Sequence, residues 1–256
     1  ALGLTMVDEV PETFPLTLIQ QRQRRAVTEG ELQVEGDLES ALIPFRGRVA
    51  YLALQTLSPA IPAWNGFGPW AAHPVQFSCH TASPDGSLEH EEWLAKGGED
   101  SRAEMAQALV EILKDVDSVV AYDAGFVKKC LDDMAAAAPD RAAQLKVVAS
   151  KLHDLLPVVR NHVYHSEFLG SFDLEPVLSA LAPDSMEESP DFPGEQSAEA
   201  LLHTLLFRGE PREPDQREAL RRDLMERFAM SSMSMLRLKE WLEERADSRE
   251  KGSKAS

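Results

Sequence analysis

The stretch Val49-Ala50-Tyr51-Leu52-Ala53-Leu54-Gln55-Thr56 decides how the rest of the chain is read. It is a short apolar run entered through polar Arg46-Gly47-Arg48 and stopped by Ser58-Pro59. That length and those flanks favour a buried β-strand over a helix. Side chains alternate between the faces of a strand, so Ala53 and Gln55 share one face.

Outward from this strand, residues 75–81 alternate well enough to predict a second strand, and Ser83-Pro84-Asp85-Gly86 is a turn signal. Residues 88–94 predict a third, antiparallel strand, with Glu89, Glu91 and Glu92 marking a sheet edge. Ser101 and Glu104 read as a capping box opening a helix along Ala103, Ala106, Leu109, Val110 and Leu113. Residues 118–122 are a short buried strand, and its place after a helix suggests parallel pairing. Helices follow over about 125–138 and 141–151, then a strand-like apolar segment at 154–159 and helices over 174–181 and 197–207. From Asp215 to about Ala246 runs one long amphipathic helix, its stripe being Leu220, Leu224, Phe228, Ser231, Met235, Leu238 and Leu242. Residues 20–25 predict a short solvated helix, and residues 182–194, with three prolines, a solvated loop. The expected organisation is an N-terminal arm and connector over 1–45, one α/β domain over 46–246 and a charged, disordered tail over 247–256.

Composition narrows the function classes. The chain has 256 residues, 43% hydrophobic and 27% charged, as a soluble globular protein does. No run approaches the apolar length of a membrane span, and no signal-peptide pattern precedes the first polar segment. Cys79 and Cys130 are too few for a disulfide framework or a zinc cluster, so a cytoplasmic compartment is expected. The net charge of −17 weighs against tight nucleic-acid binding, because phosphate neutralisation normally needs a basic surface, and favours a protein partner. Trp64, Phe67 and Trp70, in the loop after the first strand, are candidates for contacting it.

Several stretches in order resemble a bacterial family of unknown function, DUF2779, a ribonuclease H-like group related to DEDD-type 3′–5′ exonucleases. The carrying residues are Phe14-Pro15-Leu16, Leu57-Ser58-Pro59-Ala60-Ile61-Pro62, Pro74-Val75-Gln76-Phe77-Ser78 and Val120-Ala121-Tyr122-Asp123-Ala124-Gly125-Phe126. They continue with Asp154-Leu155-Leu156-Pro157-Val158, His162-Val163-Tyr164-His165, Gly170-Ser171-Phe172 and Val177-Leu178-Ser179-Ala180-Leu181-Ala182-Pro183, within a span of roughly 13 to 242. The resemblance implies a ribonuclease H-like α/β fold: a mixed sheet with an antiparallel meander, flanking helices and a long C-terminal helix.

It also implies where a catalytic centre would lie. Such nucleases use four carboxylates to hold two divalent ions that activate water and stabilise the leaving oxygen. Aligned by motif, those four places fall on Ala53, Gln55, Val127 and Ser231, or Ser232 if the last alignment slips by one. None is an acid, and two magnesium ions bring four positive charges that these side chains do not balance. The resemblance therefore implies a degenerate exonuclease without a metal cofactor, surviving as a binding or scaffolding module for a protein partner or an uncut nucleic-acid end. The competing reading is an active Mg²⁺- or Mn²⁺-dependent 3′–5′ exonuclease rebuilt on Asp123 and Asp154, with His162 and His165 nearby in sequence. No Gly-rich phosphate loop and no nucleophile elbow suggests any other chemistry.

Overall fold

A computed structural model describes residues 5–11, 13–64, 67–185, 197–207 and 214–254, without the side chains of 249–254. In chain order the elements are α1 (Leu18–Glu29), β1 (Gln33–Val34), α2 (Leu38–Leu42), β2 (Val49–Leu57), β3 (His73–Ala82) and β4 (Leu88–Leu94). They continue with α3 (Arg102–Leu113), β5 (Ser118–Ala121), α4 (Ala124–Ala137), α5 (Ala142–Ser150), β6 (Leu152–Asp154) and α6 (Leu156–His162). The last are β7 (Val163–Tyr164), α7 (Leu174–Leu181), α8 (Ala198–Phe207) and α9 (Pro214–Lys254). The chain divides into two compact units, one of Phe45–His153 with Glu188–Leu236, the other of Ala1–Pro44, Asp154–Glu187 and Arg237–Ser256.

The larger unit is built on a mixed five-stranded sheet of order β4-β3-β2-β5-β6. β2, β3 and β4 form the antiparallel meander, and β5 pairs with β2 in parallel through Val49–Ser118, Ala50–Val119 and Tyr51–Val120. β4 lies at the edge and carries the glutamates. Pro74 has no N–H to give the ladder, and the β2–β3 register shifts between Gln55 and Thr56 where it enters.

The period of two sorts this sheet into unlike faces. On one, Ala50, Leu52, Phe77 and Cys79 join Met105, Leu109 and Leu113 of α3 and Val127, Leu131 and Met134 of α4 in a dry core. On the other, Gln76, Ser78 and His80 project from β3, all at most 6% exposed. A second apolar cluster joins Leu57, Val75 and Leu94 to Leu201, Leu202, Leu205 and Leu206 of α8 and Leu224 of α9.

The smaller unit contains α1, α2, α6, α7 and the two-stranded sheet β1–β7, paired Gln33–Tyr164 and Val34–Val163. Its organising side chain is Arg22, which is 5% exposed. Arg22 Nε donates to Glu35 Oε2 at 3.0 Å, Nη1 to the Arg160 carbonyl at 2.9 Å and Nη2 to the Asn161 carbonyl, while Arg25 also pairs with Glu35. A buried guanidinium is tolerable because its donors are met. Residues 20–25 are thus part of a longer, half-buried helix, not a solvated one.

Three further expectations change. The capping box lies at Thr17, whose Oγ1 accepts from Gln20 N–H while Gln20 Oε1 accepts from Thr17 N–H at 2.9 Å. Ser101 makes no such cap: Asp100 takes the Arg102 N–H at 3.2 Å. Asp154 ends a strand instead of beginning one, and α6 follows it. Residues 247–254 continue α9, so that stretch of the expected tail is helical. Most of the loop expected over 182–194 lies outside the described residues; residues 183–185 form a 3₁₀ turn.

Candidate functional site

The four positions aligned with the nuclease carboxylates all belong to the larger unit, but they do not share one surface. The register places Ala53 opposite Ser78, which in turn lies opposite Glu92, and Gln55 opposite Gln76. Residues paired directly across an antiparallel ladder present the same face. Ala53 and Gln55 therefore sit in a polar row with Ser78, Gln76 and Glu92. Val127 lies on the other side, 2% exposed within the dry core.

The last helix supplies Ser232 to the polar row, not Ser231. Ser232 is fully buried, whereas Ser231 is half-buried. The apolar stripe averages over a 41-residue helix that contributes to both units, so its midline misplaces the sheet-facing side by one residue. Ser232 Oγ lies 2.6 Å from Ser78 Oγ, 2.7 Å from His80 Nδ1 and 3.1 Å from the Ala229 carbonyl. Ser78 Oγ is also 3.0 Å from His90 Nε2, and the rings of His80 and His90 stack at 4.2 Å.

The Ala229 carbonyl can only accept, so Ser232 gives it its one proton. Ser78 O–H and His80 Nδ1–H then donate to Ser232, and His90 Nε2–H donates to Ser78. That assignment satisfies each of these four contacts with both imidazoles donating. One row further along, Gln76 Nε2 donates to the Leu224 carbonyl at 3.1 Å. The helix is thus fastened across the polar face by hydrogen bonds from β3.

A two-metal centre does not fit this donor set. Hard divalent ions take oxygen ligands, preferably anionic. Ala53 offers none, Gln55 and Ser232 are neutral, and Glu92 on the edge strand is the single acid of the row. Among the described residues, no group of three His, Cys, Asp or Glu side chains is arranged to hold a metal ion.

The alternative ligands serve local roles. Asp123, at φ 71, caps α4, its Oδ1 accepting from Phe126 N–H at 3.1 Å. In the smaller unit, Asp154 Oδ1 accepts from Leu156 N–H at 3.0 Å. His162 Nδ1 lies 2.8 Å from the Glu35 carbonyl beside β1, and His165 Nδ1 accepts from Glu167 N–H at 3.2 Å. Asp123 belongs to one unit and the other three residues to the second.

Two of the three rings of the aromatic loop pack inward, although most of its described residues are exposed. Trp64 is only 7% exposed, donates Nε1–H to the Gly98 carbonyl at 3.0 Å and stacks on His73 with ring centroids 3.6 Å apart. Phe67 edges against both rings and carries the Arg102 guanidinium 4.5 Å from its centroid. A Cβ on Gly98 would lie 2.7 Å from Phe207, so this close approach needs glycine. Trp70, 71% exposed, is the one ring of the three candidates presented to solvent, which corrects the expected contact surface.

His73, fully buried under Trp64, was invisible to sequence reasoning. Burial pushes its imidazole down from 6.5 to about 4, against the pull of Asp100, whose Oδ1 is 3.8 Å from Nε2. Asp100 is itself held below the usual carboxylate range, first by its hydrogen bond from Arg102. The Ser78–His80–His90–Ser232 group was missed too. Its signal was the alternation Gln76-Phe77-Ser78-Cys79-His80, which gives a central strand one apolar and one polar face. Both cysteine thiols are buried and pushed up to about 12, so neither is a nucleophile.

Among the described residues, no helix is long and apolar enough to cross a membrane. No curated protein and no solved structure matches the chain. Residues 50–173, which begin in β2 and end just before α7, match the model of the family described as domain of unknown function DUF2779.

Proposed function

We propose that this chain is a catalytically degenerate ribonuclease H-like exonuclease homologue that works as a binding or scaffolding module, for a protein partner above all. The antiparallel meander followed by a parallel strand, with a long last helix across one face, supports the ribonuclease H-like reading.

One observation carries the loss of chemistry. The sheet face that would hold metal ions in the resembled nucleases presents Ala53 and Gln55, and Ser232 closes it through hydrogen bonds to Ser78 and His80. A carboxylate at the fully buried Ser232 would need a cation or several donors to offset its desolvation. Here the donors are already committed to one another. The net charge of −17 supports a protein over a nucleic acid as the partner, since phosphate binding draws its affinity from basic surface.

A degradation assay tests this reading. Labelled single-stranded DNA and RNA incubated with the protein and millimolar Mn²⁺ should remain full-length. Metal-dependent shortening that disappears in Asp123→Ala would overturn the proposal in favour of a centre rebuilt on Asp123 and Asp154.

A further inference from the structure

The smaller unit holds a hollow of about 600 Å³ that involves none of the residues of the five-stranded sheet. Val7, Val10, Leu16, Val27 and Leu169 give it an apolar wall, and among the described residues that line it Arg24 of α1 supplies the one formal charge. The volume is in the range of small-molecule sites, which combine apolar walls with a few placed polar groups.

Two features of this hollow are unexplained by the fold alone. The first is Arg24. Of the three arginines on α1, Arg22 and Arg25 are paired with Glu35. Arg24 donates only Nε–H, to the Val10 carbonyl at 2.7 Å. Among the described residues, its Nη1 and Nη2 have no hydrogen-bond or ion-pair partner. That contact to Val10 fixes the guanidinium against the wall of the hollow and leaves the outer edge of its fork for a planar anion.

The second is Leu169. It is a non-glycine residue at φ 50, in the left-handed region that side chains disfavour, and it is 91% exposed. Gly170, which follows at once, is itself at φ 87, so the turn places two consecutive residues in the left-handed region and only one of them is a glycine. A leucine held in a disfavoured backbone with its side chain in water gains nothing for the fold. It gains if something apolar lies against it at the rim of the hollow.

We propose that this hollow binds a small carboxylic acid with an apolar body, the carboxylate on the outer edge of Arg24 and the body along Val7, Val10, Val27 and Leu169. A free acid fits better than a peptide end, whose further amide groups would need partners that an apolar wall does not give. The site is independent of the sheet face and of its reading as a lost nuclease centre.

Decanoate and decanol are the probes, titrated calorimetrically into the full chain. The expected result is saturable one-to-one binding of decanoate, with decanol at least about tenfold weaker, as a lost charge-assisted contact implies. Arg24→Gln should bring decanoate to the affinity of decanol and leave decanol unchanged. Leu169→Asp should weaken both probes while leaving thermal unfolding unchanged, because that side chain is exposed. Absence of saturable decanoate binding, equal affinity for decanol, or wild-type binding by Leu169→Asp would each overturn the proposal. The last arm stands even if Arg24→Gln disturbs the fold.

Discussion

The two faces of the five-stranded sheet are built by different physics. Toward α3 and α4 the strands offer Ala50, Leu52, Phe77 and Cys79, and contact there is non-directional burial of apolar area. Toward α9, beside an apolar cluster around Leu224, they offer Gln76, Ser78 and His80, whose directional hydrogen bonds fix where along the helix each residue sits. The first face sets stability. The second sets register, and it occupies the position where the resembled nucleases would keep their acids. On the proposed reading, a face that has lost its metal ligands is filled by hydroxyl, amide and imidazole groups that satisfy one another.

That contrast can be broken from either side. The largest effect should come from the dry face: Phe77→Ala is expected to lower unfolding free energy by about 3–5 kcal/mol in chemical denaturation, through lost burial and a cavity. Next is the acid response of His73. Its folded-state value of about 4 lies below the free value of 6.5, so the unfolded chain takes up the proton first. Stability should be constant above pH 6.5 and fall as the pH drops towards 4, by roughly 3 kcal/mol in all. Denaturation midpoints across this window check it. His73→Phe, which keeps a ring against Trp64, should flatten that dependence.

The polar face should respond less. Ser232→Ala leaves Ser78 and His80 without their shared partner and is expected to lower stability by about 1–3 kcal/mol. Ser231→Ala, one residue away, should fall within about 0.5 kcal/mol, and a denaturation series on the pair reads the difference directly. The smallest effect is at the exposed ring: Trp70→Ala should leave stability within about 0.5 kcal/mol of wild type. If a protein partner uses that loop, the same variant should weaken its capture.

How much of this was legible in the sequence follows from the same contrast. β2 and the meander were readable because a short apolar run with turn signals has one sensible structure. The parallel return of β5 followed from the intervening helix. The helix starts were harder. Ser101 and Glu104 have the right spacing for a capping box, but the Ser101 side chain makes no cap hydrogen bond, and Asp100 takes only the Arg102 N–H. Thr17 and Gln20 close one at the N-terminus, within a segment that composition alone suggests is an arm. Arg22 was hidden because a buried arginine is identified by its partners, here two carbonyls and Glu35 far along the chain. The polar face was half legible: Ala53 and Gln55 follow from period two, while the choice of Ser232 depends on how a long helix turns where it crosses the sheet. Trp64 looked like an exposed aromatic because a loop rich in proline and glycine does not show that its ring is roofing His73.

On the proposed reading, the polar face has exchanged metal ligation for hydrogen bonding among uncharged groups. Calorimetric titration of Mn²⁺ into the protein tests it most directly. The expected result is no saturable heat up to millimolar metal, in wild type and in Asp123→Ala alike. Saturable binding of Mn²⁺ to the wild-type chain that is lost in Asp123→Ala would contradict the account and place a working metal centre on acids outside the Ala53–Gln55 row.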